Sequence, residues 1–84
     1  MQKQEIGKVA HFFGKVSVAA IKLSGALKVG DRISIEGAHT NFEQTVESMR
    51  IEQDSLTEAQ AGQDVGIKVQ DRVREHDTVY KVIE

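Results

Sequence analysis

The stretch "GALKVGDRISIEG", residues 25–37, decides the fold. Three glycines and a Gly-Asp pair bracket a run in which Ile33 and Ile35 alternate with Arg32, Ser34 and Glu36. Alternation with a period of two is the pattern of a strand with one buried face. Gly30 can adopt a positive φ at little steric cost, and Asp31 can cap the turn with its side chain. The stretch therefore predicts a sharp turn at Gly30 and Asp31, after which the chain enters a sheet in phase at Ile33, facing the core.

The same device recurs downstream. "KVGDRI" (28–33) and "REHDTV" (74–79) each place an apolar residue two positions beyond an Asp. In the second copy His76 stands where the first has Gly30, and a positive φ is strained for His. Val65, Ile67 and Val69 alternate with Gly66 and Lys68. The pattern predicts that Ile33, Ile35, Val65, Ile67, Val69 and Val79 share one core.

Two runs change apolar phase midway. "KVSVAAIKL" moves from Val16 and Val18 to Ile21 and Leu23, and "TVESMRIE" moves from Val46 to Met49 and Ile51. A β-bulge absorbs one residue and returns the strand to phase, so bulges are expected near Ala19 and Ala20 and near Glu47 and Ser48. "SLTEAQAG" has Ser55 as a cap and Glu58 three residues later, which predicts one helical turn in a loop. No segment carries a sustained helical repeat. Strands near 5–13, 16–24, 31–37, 44–52, 64–70 and 78–83 predict an all-β chain: a single small closed β-barrel of about six strands, forming one domain over residues 1–84.

At 84 residues the chain can bury one small core. With 39% apolar and 29% charged residues it has the composition of a folded domain. The absence of cysteine excludes disulfides and thiolate zinc sites, and makes a reducing cytoplasm the expected compartment. The opening "MQKQEIGKVA" has no apolar run of signal-peptide length, and no segment reaches the length of a membrane span. Secretion and membrane contact are not expected.

The net charge of −2 conceals an asymmetry. Residues 1–28 carry five lysines against Glu5, whereas residues 36–64 carry seven acids against Arg50. Any contact with a polyanion would rest on a local face built by the first two strands.

Catalytic patterns are missing from the sequence. "FFGKVS" (12–17) has Val16 where a phosphate-binding loop needs Ser or Thr, and Val9 where that loop needs its first glycine. No bound GTP and no GTPase activity are expected. His11, His39 and His76 have no ligand-like spacing, and the serines at 17, 24, 34, 48 and 55 sit in no nucleophile elbow. The expectation is a protein that is not an enzyme, with no metal and no cofactor.

The segments "IGKVAHFFGKVSVAAIKLSGALKVGDRISIEG", "QTVESMRIE", "AQAGQDVGIKV" and "VREHDTVYKV" together resemble the second, β-barrel domain of translational GTPases such as elongation factor Tu. The likeness extends to small stand-alone translation elongation factor-like proteins and runs from Ile6 to Val82. Its motifs are G-x-L-K-x-G-D at 25–31 and A-G-x-x-V-G-I at 61–67. A similar barrel also occurs, by resemblance, as the terminal domain of a collagenase-like peptidase family. In tRNA-carrying relatives a Glu in V-E-x-x-R and an Asn in A-G-x-N-V-G line the pocket for the terminal adenosine. Here Val46, Glu47 and Arg50 match the first, Met49 replaces an aromatic or His side chain, and Asp64 replaces the Asn.

The resemblance implies a non-enzymatic binding module that contacts RNA or a ribonucleoprotein such as a ribosomal particle. "HFFGK" (11–15) fits that expectation through base stacking beside a cation. Candidate contacts are His11, Phe12, Phe13, Lys15, Lys22, Lys28, Glu47, Arg50 and Asp64. Neighbouring strand residues point to opposite faces, so one of Phe12 and Phe13 is expected in the core and the other outside. The alternative is a protein-interaction or accessory domain for a separately encoded enzyme of the peptidase type, with a protein as partner.

Overall fold

The computed structural model describes residues 2–51 and 54–83. Ten strands follow in chain order: β1 (Gln2–Phe13), β2 (Val18–Leu23), β3 (Leu27–Lys28), β4 (Arg32–Glu36), β5 (Asn41–Thr45), β6 (Met49–Ile51), β7 (Asp54–Leu56), β8 (Glu58–Ala59), β9 (Asp64–Lys68) and β10 (Thr78–Ile83). The described residues contain no helix, so the fold is all-β. Eight strands form one antiparallel sheet in the order β5-β4-β10-β1-β2-β9-β6-β7, and β3 pairs with β8 in a separate ribbon.

β1 organises the sheet because it is long enough to serve two partners. Its first half pairs with β10 and its second half with β2, with register shifts between Glu5 and Gly7 and between Val9 and His11. The bulges therefore lie in β1, not at the expected Ala19–Ala20 site in β2. The core row of β2 is unbroken, with Ala19, Ile21 and Leu23 all buried, while Val16 is 58% exposed. The phase change in the sequence arises because Val16 belongs to the turn before the strand.

The expected turn at Gly30 and Asp31, which spans Lys28 to Asp31, is one of three built alike. At each, the fourth residue donates its N–H back to the first carbonyl, and the fourth side chain accepts from the first N–H. Asp31 caps Lys28 N–H at 2.9 Å, Asp77 caps Arg74 N–H at 2.9 Å, and Gln63 caps Gln60 N–H at 2.7 Å. The third residue of each has a positive φ: 99° at Gly30, 74° at His76 and 90° at Gly62. Each turn then clasps the main chain of one buried residue from both sides. Gly30 donates to Val46 O while Val46 donates to Asp31 O; His76 and Asp77 hold Val9, and Gly62 and Gln63 hold Leu23, in the same way. Three clasps thus pin three core residues at the points where strands enter the sheet.

The core is a single cluster. Ile33, Ile35, Val65, Ile67, Val69 and Val79 are all buried, joined by Ile6, Ile21, Leu27, Met49 and Val73. Burial of each of these large side chains contributes about 1.5–3 kcal/mol.

Three expectations are corrected. Residues 44–52 do not form one bulged strand: β5 ends at Thr45 and β6 begins at Met49, because Val46 is drawn into a clasp; Glu52 lies outside the described residues. Ser55 caps no helical turn, since it lies in β7 opposite Arg50. Among the described residues no ladder joins the two edge strands, β5 and β7, so the sheet is not closed by strand pairing, and it has more strands than the six expected. A side chain bridges one side of this opening. Buried Gln44 on β5 donates from Nε2 to Lys68 O and accepts at Oε1 from Gln70 N–H, both at 2.8 Å.

Candidate functional site

The outer face of β2, β9 and β6 carries a groove of about 930 Å³. Its floor follows from register. Ala20 of β2 lies opposite Gly66 of β9, and Gly66 lies opposite Arg50 of β6. Two small residues side by side leave a depression in a surface otherwise covered by longer side chains. Gly66 is also a close-packed point, since a Cβ there would lie 3.2 Å from Val18 Cγ1. A glycine inside a strand marks such a site.

The walls are apolar and the rim is charged. Phe13, 49% exposed, and Val16, 58% exposed, stand at one side, with Val18 and half-buried Ile51 also lining the groove. Exposure of such large apolar side chains is informative when they cluster at one depression. His11 packs edge-on against Phe13, with centroids 4.5 Å apart and planes at 67°, and its Nδ1 lies 3.2 Å from Glu75 Oε1. These contacts fix the Phe13 ring at the groove margin.

Charges on the rim are unequal. Lys22 lies opposite Asp64, so the acid has a cation as cross-strand neighbour. Arg50 lies opposite Gly66 and Ser55, and Lys68 opposite Val18. Among the described residues the ion pairs are Lys3–Glu36, Arg32–Glu43 and Lys81–Asp31, beside the His11–Glu75 contact, and none engages Arg50 or Lys68. The groove is thus an apolar trough lined by two cations, Arg50 and Lys68, and one acid, Asp64.

The structure brings together three of the nine candidate residues, namely Phe13, Arg50 and Asp64. Phe12 turns inward and packs half-buried against the core, while Phe13 is exposed. Lys15 is exposed in the turn between β1 and β2, Lys22 is exposed on β2, and Lys28 is exposed in the β3–β8 ribbon. Glu47 is exposed between β5 and β6, and neither it nor His11 lines the groove. Sequence reasoning missed Val16, Val18, Ala20, Gly66 and Lys68. Gly66 was the available signal, because it interrupts an otherwise regular strand without serving as a turn.

No protein-family model matches the chain. It is 46% identical over 80 residues to an uncharacterized protease of Methanocaldococcus jannaschii, covering 94% of this chain and 20% of that protein. It is 37% identical over 82 residues to a collagenase of Porphyromonas gingivalis, covering 95% of this chain and 23% of that protein. The chain thus spans about a fifth of the length of the curated relatives it matches. Among solved structures, the C-terminal domain of a U32 peptidase from Geobacillus thermoleovorans superposes with a TM-score of 0.89 at 22% identity, covering 95% of this chain and 93% of that one.

These findings correct the translation-factor resemblance and the RNA-binding role drawn from it. The matches run through proteins named as proteases and collagenases, over nearly the whole chain. The structure explains the misreading. Both motifs that carried the resemblance sit on clasp turns: G-x-L-K-x-G-D ends at Gly30 and Asp31, and A-G-x-x-V-G-I begins with the Gly62 turn. Their turn residues encode how strands enter this sheet, which a shared fold can account for without a shared ligand.

Proposed function

We propose that this chain is a non-catalytic accessory module of a peptidase system, acting by holding a polypeptide and not by cleaving one. The supporting observation is the manner of the match: almost all of the chain aligns with about a fifth of proteins named as a protease and a collagenase. Such a match is what a discrete module attached to a larger catalytic body produces. In this reading the sheet is a barrel wall around one core, bridged at Gln44 by a side-chain amide where a ladder would otherwise close it.

The groove chemistry supports the non-catalytic part of the proposal. Its described lining offers Ser48, Asp64 and Lys68, but among the described residues no hydrogen bond joins the Ser48 hydroxyl to either of the groups that could act as its base.

The experiment is a peptidase assay on the purified chain, run beside a binding assay against the P. gingivalis collagenase from which the matching segment has been deleted. The proposal expects no hydrolysis of gelatin or of fluorogenic peptides by the chain alone, and saturable association with the truncated enzyme. Hydrolysis that survives repurification, or no association at any accessible concentration, refutes it.

A further inference from the structure

We propose that the groove over Ala20 and Gly66 is a binding site for an extended acidic peptide, one that lays an apolar side chain on the floor and sets carboxylates against Arg50 and Lys68. The inference deepens the accessory-module reading by naming the ligand class, but it is tested on the chain alone and needs no catalytic partner.

The shape selects the ligand first. The floor is flat and small because Ala20 and Gly66 are cross-strand neighbours on the outer face. Phe13, Val16 and Val18 wall this floor, so a side chain of Leu or Phe size laid on it covers apolar surface on more than one side. Ligand sites are commonly built this way, with an apolar seat and a few polar groups that fix orientation.

Charge then selects among peptides. The lining carries Arg50 and Lys68 against the single acid Asp64, and Asp64 has Lys22 opposite it in the sheet, whereas Arg50 and Lys68 have no acid opposite them. A guanidinium can take a carboxylate through two parallel hydrogen bonds, and Lys68 offers a second cation on the same face. A peptide bearing Glu or Asp beside its apolar residue therefore complements the rim, and a lysine-bearing one meets repulsion. Lys15, exposed on the turn beside Val16, adds a further cation near the groove.

The test uses the isotopically labelled full chain and two fluorescein-tagged decapeptides, one alternating Leu with Glu and one alternating Leu with Lys. A single-stranded RNA decamer serves as a third probe. The expected result is weak saturable binding of the Glu peptide, with a dissociation constant on the order of 100 µM. Amide shifts should concentrate at Phe13, Val18, Ala20, Arg50, Gly66 and Lys68. Phe13→Ala and Arg50→Glu should each weaken binding about tenfold. Both side chains are exposed, and an unchanged melting temperature confirms that the variants remain folded. Ala20→Trp should fill the floor and abolish binding without a change of charge. Equal binding of the Lys peptide, tighter binding of the RNA, shifts confined to residues outside the groove, or self-association through the groove overturns the proposal.

Discussion

Val46 and Val9 are held by the same arrangement at different positions in the chain. The Val46 main chain donates to Asp31 O and accepts from Gly30 N–H, and the Val9 main chain donates to Asp77 O and accepts from His76 N–H, all at 2.8–2.9 Å. In one clasp the positive-φ residue is Gly, in the other His, with φ values of 99° and 74°. The difference gives two substitutions of opposite sign. Gly30→Val should lower stability by about 1–2 kcal/mol, through backbone strain alone, since a Cβ at Gly30 meets no atom within 4 Å. His76→Gly should raise stability slightly or leave it unchanged, because relief of strain is partly offset by glycine's entropy in the unfolded chain. Denaturant melts of both variants check the pair. A destabilised His76→Gly would show that the imidazole makes a contribution that the clasp does not explain.

Gln44 is the polar group on which the open seam depends. It is 3% exposed, and its amide satisfies Lys68 O and Gln70 N–H at once. Gln44→Leu should cost about 2–3 kcal/mol, since an apolar side chain leaves both main-chain groups without this partner. Gln44→Glu retains an acceptor for Gln70 but presents a carboxylate to the Lys68 carbonyl, and should also destabilise at neutral pH. Hydrogen exchange at the Gln70 amide is the local readout, and its protection should fall in both variants.

The clasps also show how much of the fold was legible in the sequence. Alternation located the core rows at Ile33, Ile35, Val65 and Ile67 because each strand has one dry face. The Gly30 and His76 turns were legible because Asp occupies the capping position in both. The third turn was not, since Gln63 performs the capping of Asp with a longer side chain, and no local rule equates the two. The split between β5 and β6 was hidden for a related reason: Val46 is buried by a clasp from a distant turn, so its apolar character resembled strand phase. Among the candidate contacts, Phe13 and Arg50 were legible as residue types. The groove they line was not, because it depends on the register that sets Ala20 against Gly66.

Acid stability should report the Lys3–Glu36 pair that ties β1 to β4. The hydrogen bond from Lys3 is the main influence holding the Glu36 carboxyl below its ordinary value of 4.5, and the Ser34 hydroxyl, 2.8 Å away, adds to it. The same bond raises Lys3 above its ordinary 10.5. Lowered in the folded state, Glu36 stabilises the fold above its unfolded pKa, and that contribution is lost as pH falls through the folded value. Raised in the folded state, Lys3 contributes fully below 10.5 and loses its contribution as pH rises through the folded value. Melting temperatures of wild type and Glu36→Gln should therefore differ near pH 7 and converge as pH falls through the lowered folded-state value of Glu36. Both side chains are about one-third exposed, so the difference should be small and should shrink further in high salt.

The most direct test of the accessory-module account is a replacement experiment in the P. gingivalis collagenase, of which the chain matches 23%. Three forms are compared for collagen hydrolysis: the intact enzyme, a form with the matching segment deleted, and a chimera carrying this chain in its place. The account predicts that deletion lowers kcat/KM about tenfold or more, mainly through KM, and that the chimera recovers most of the loss. A deletion form that cleaves collagen as the intact enzyme does, or a chimera no better than the deletion, would contradict it.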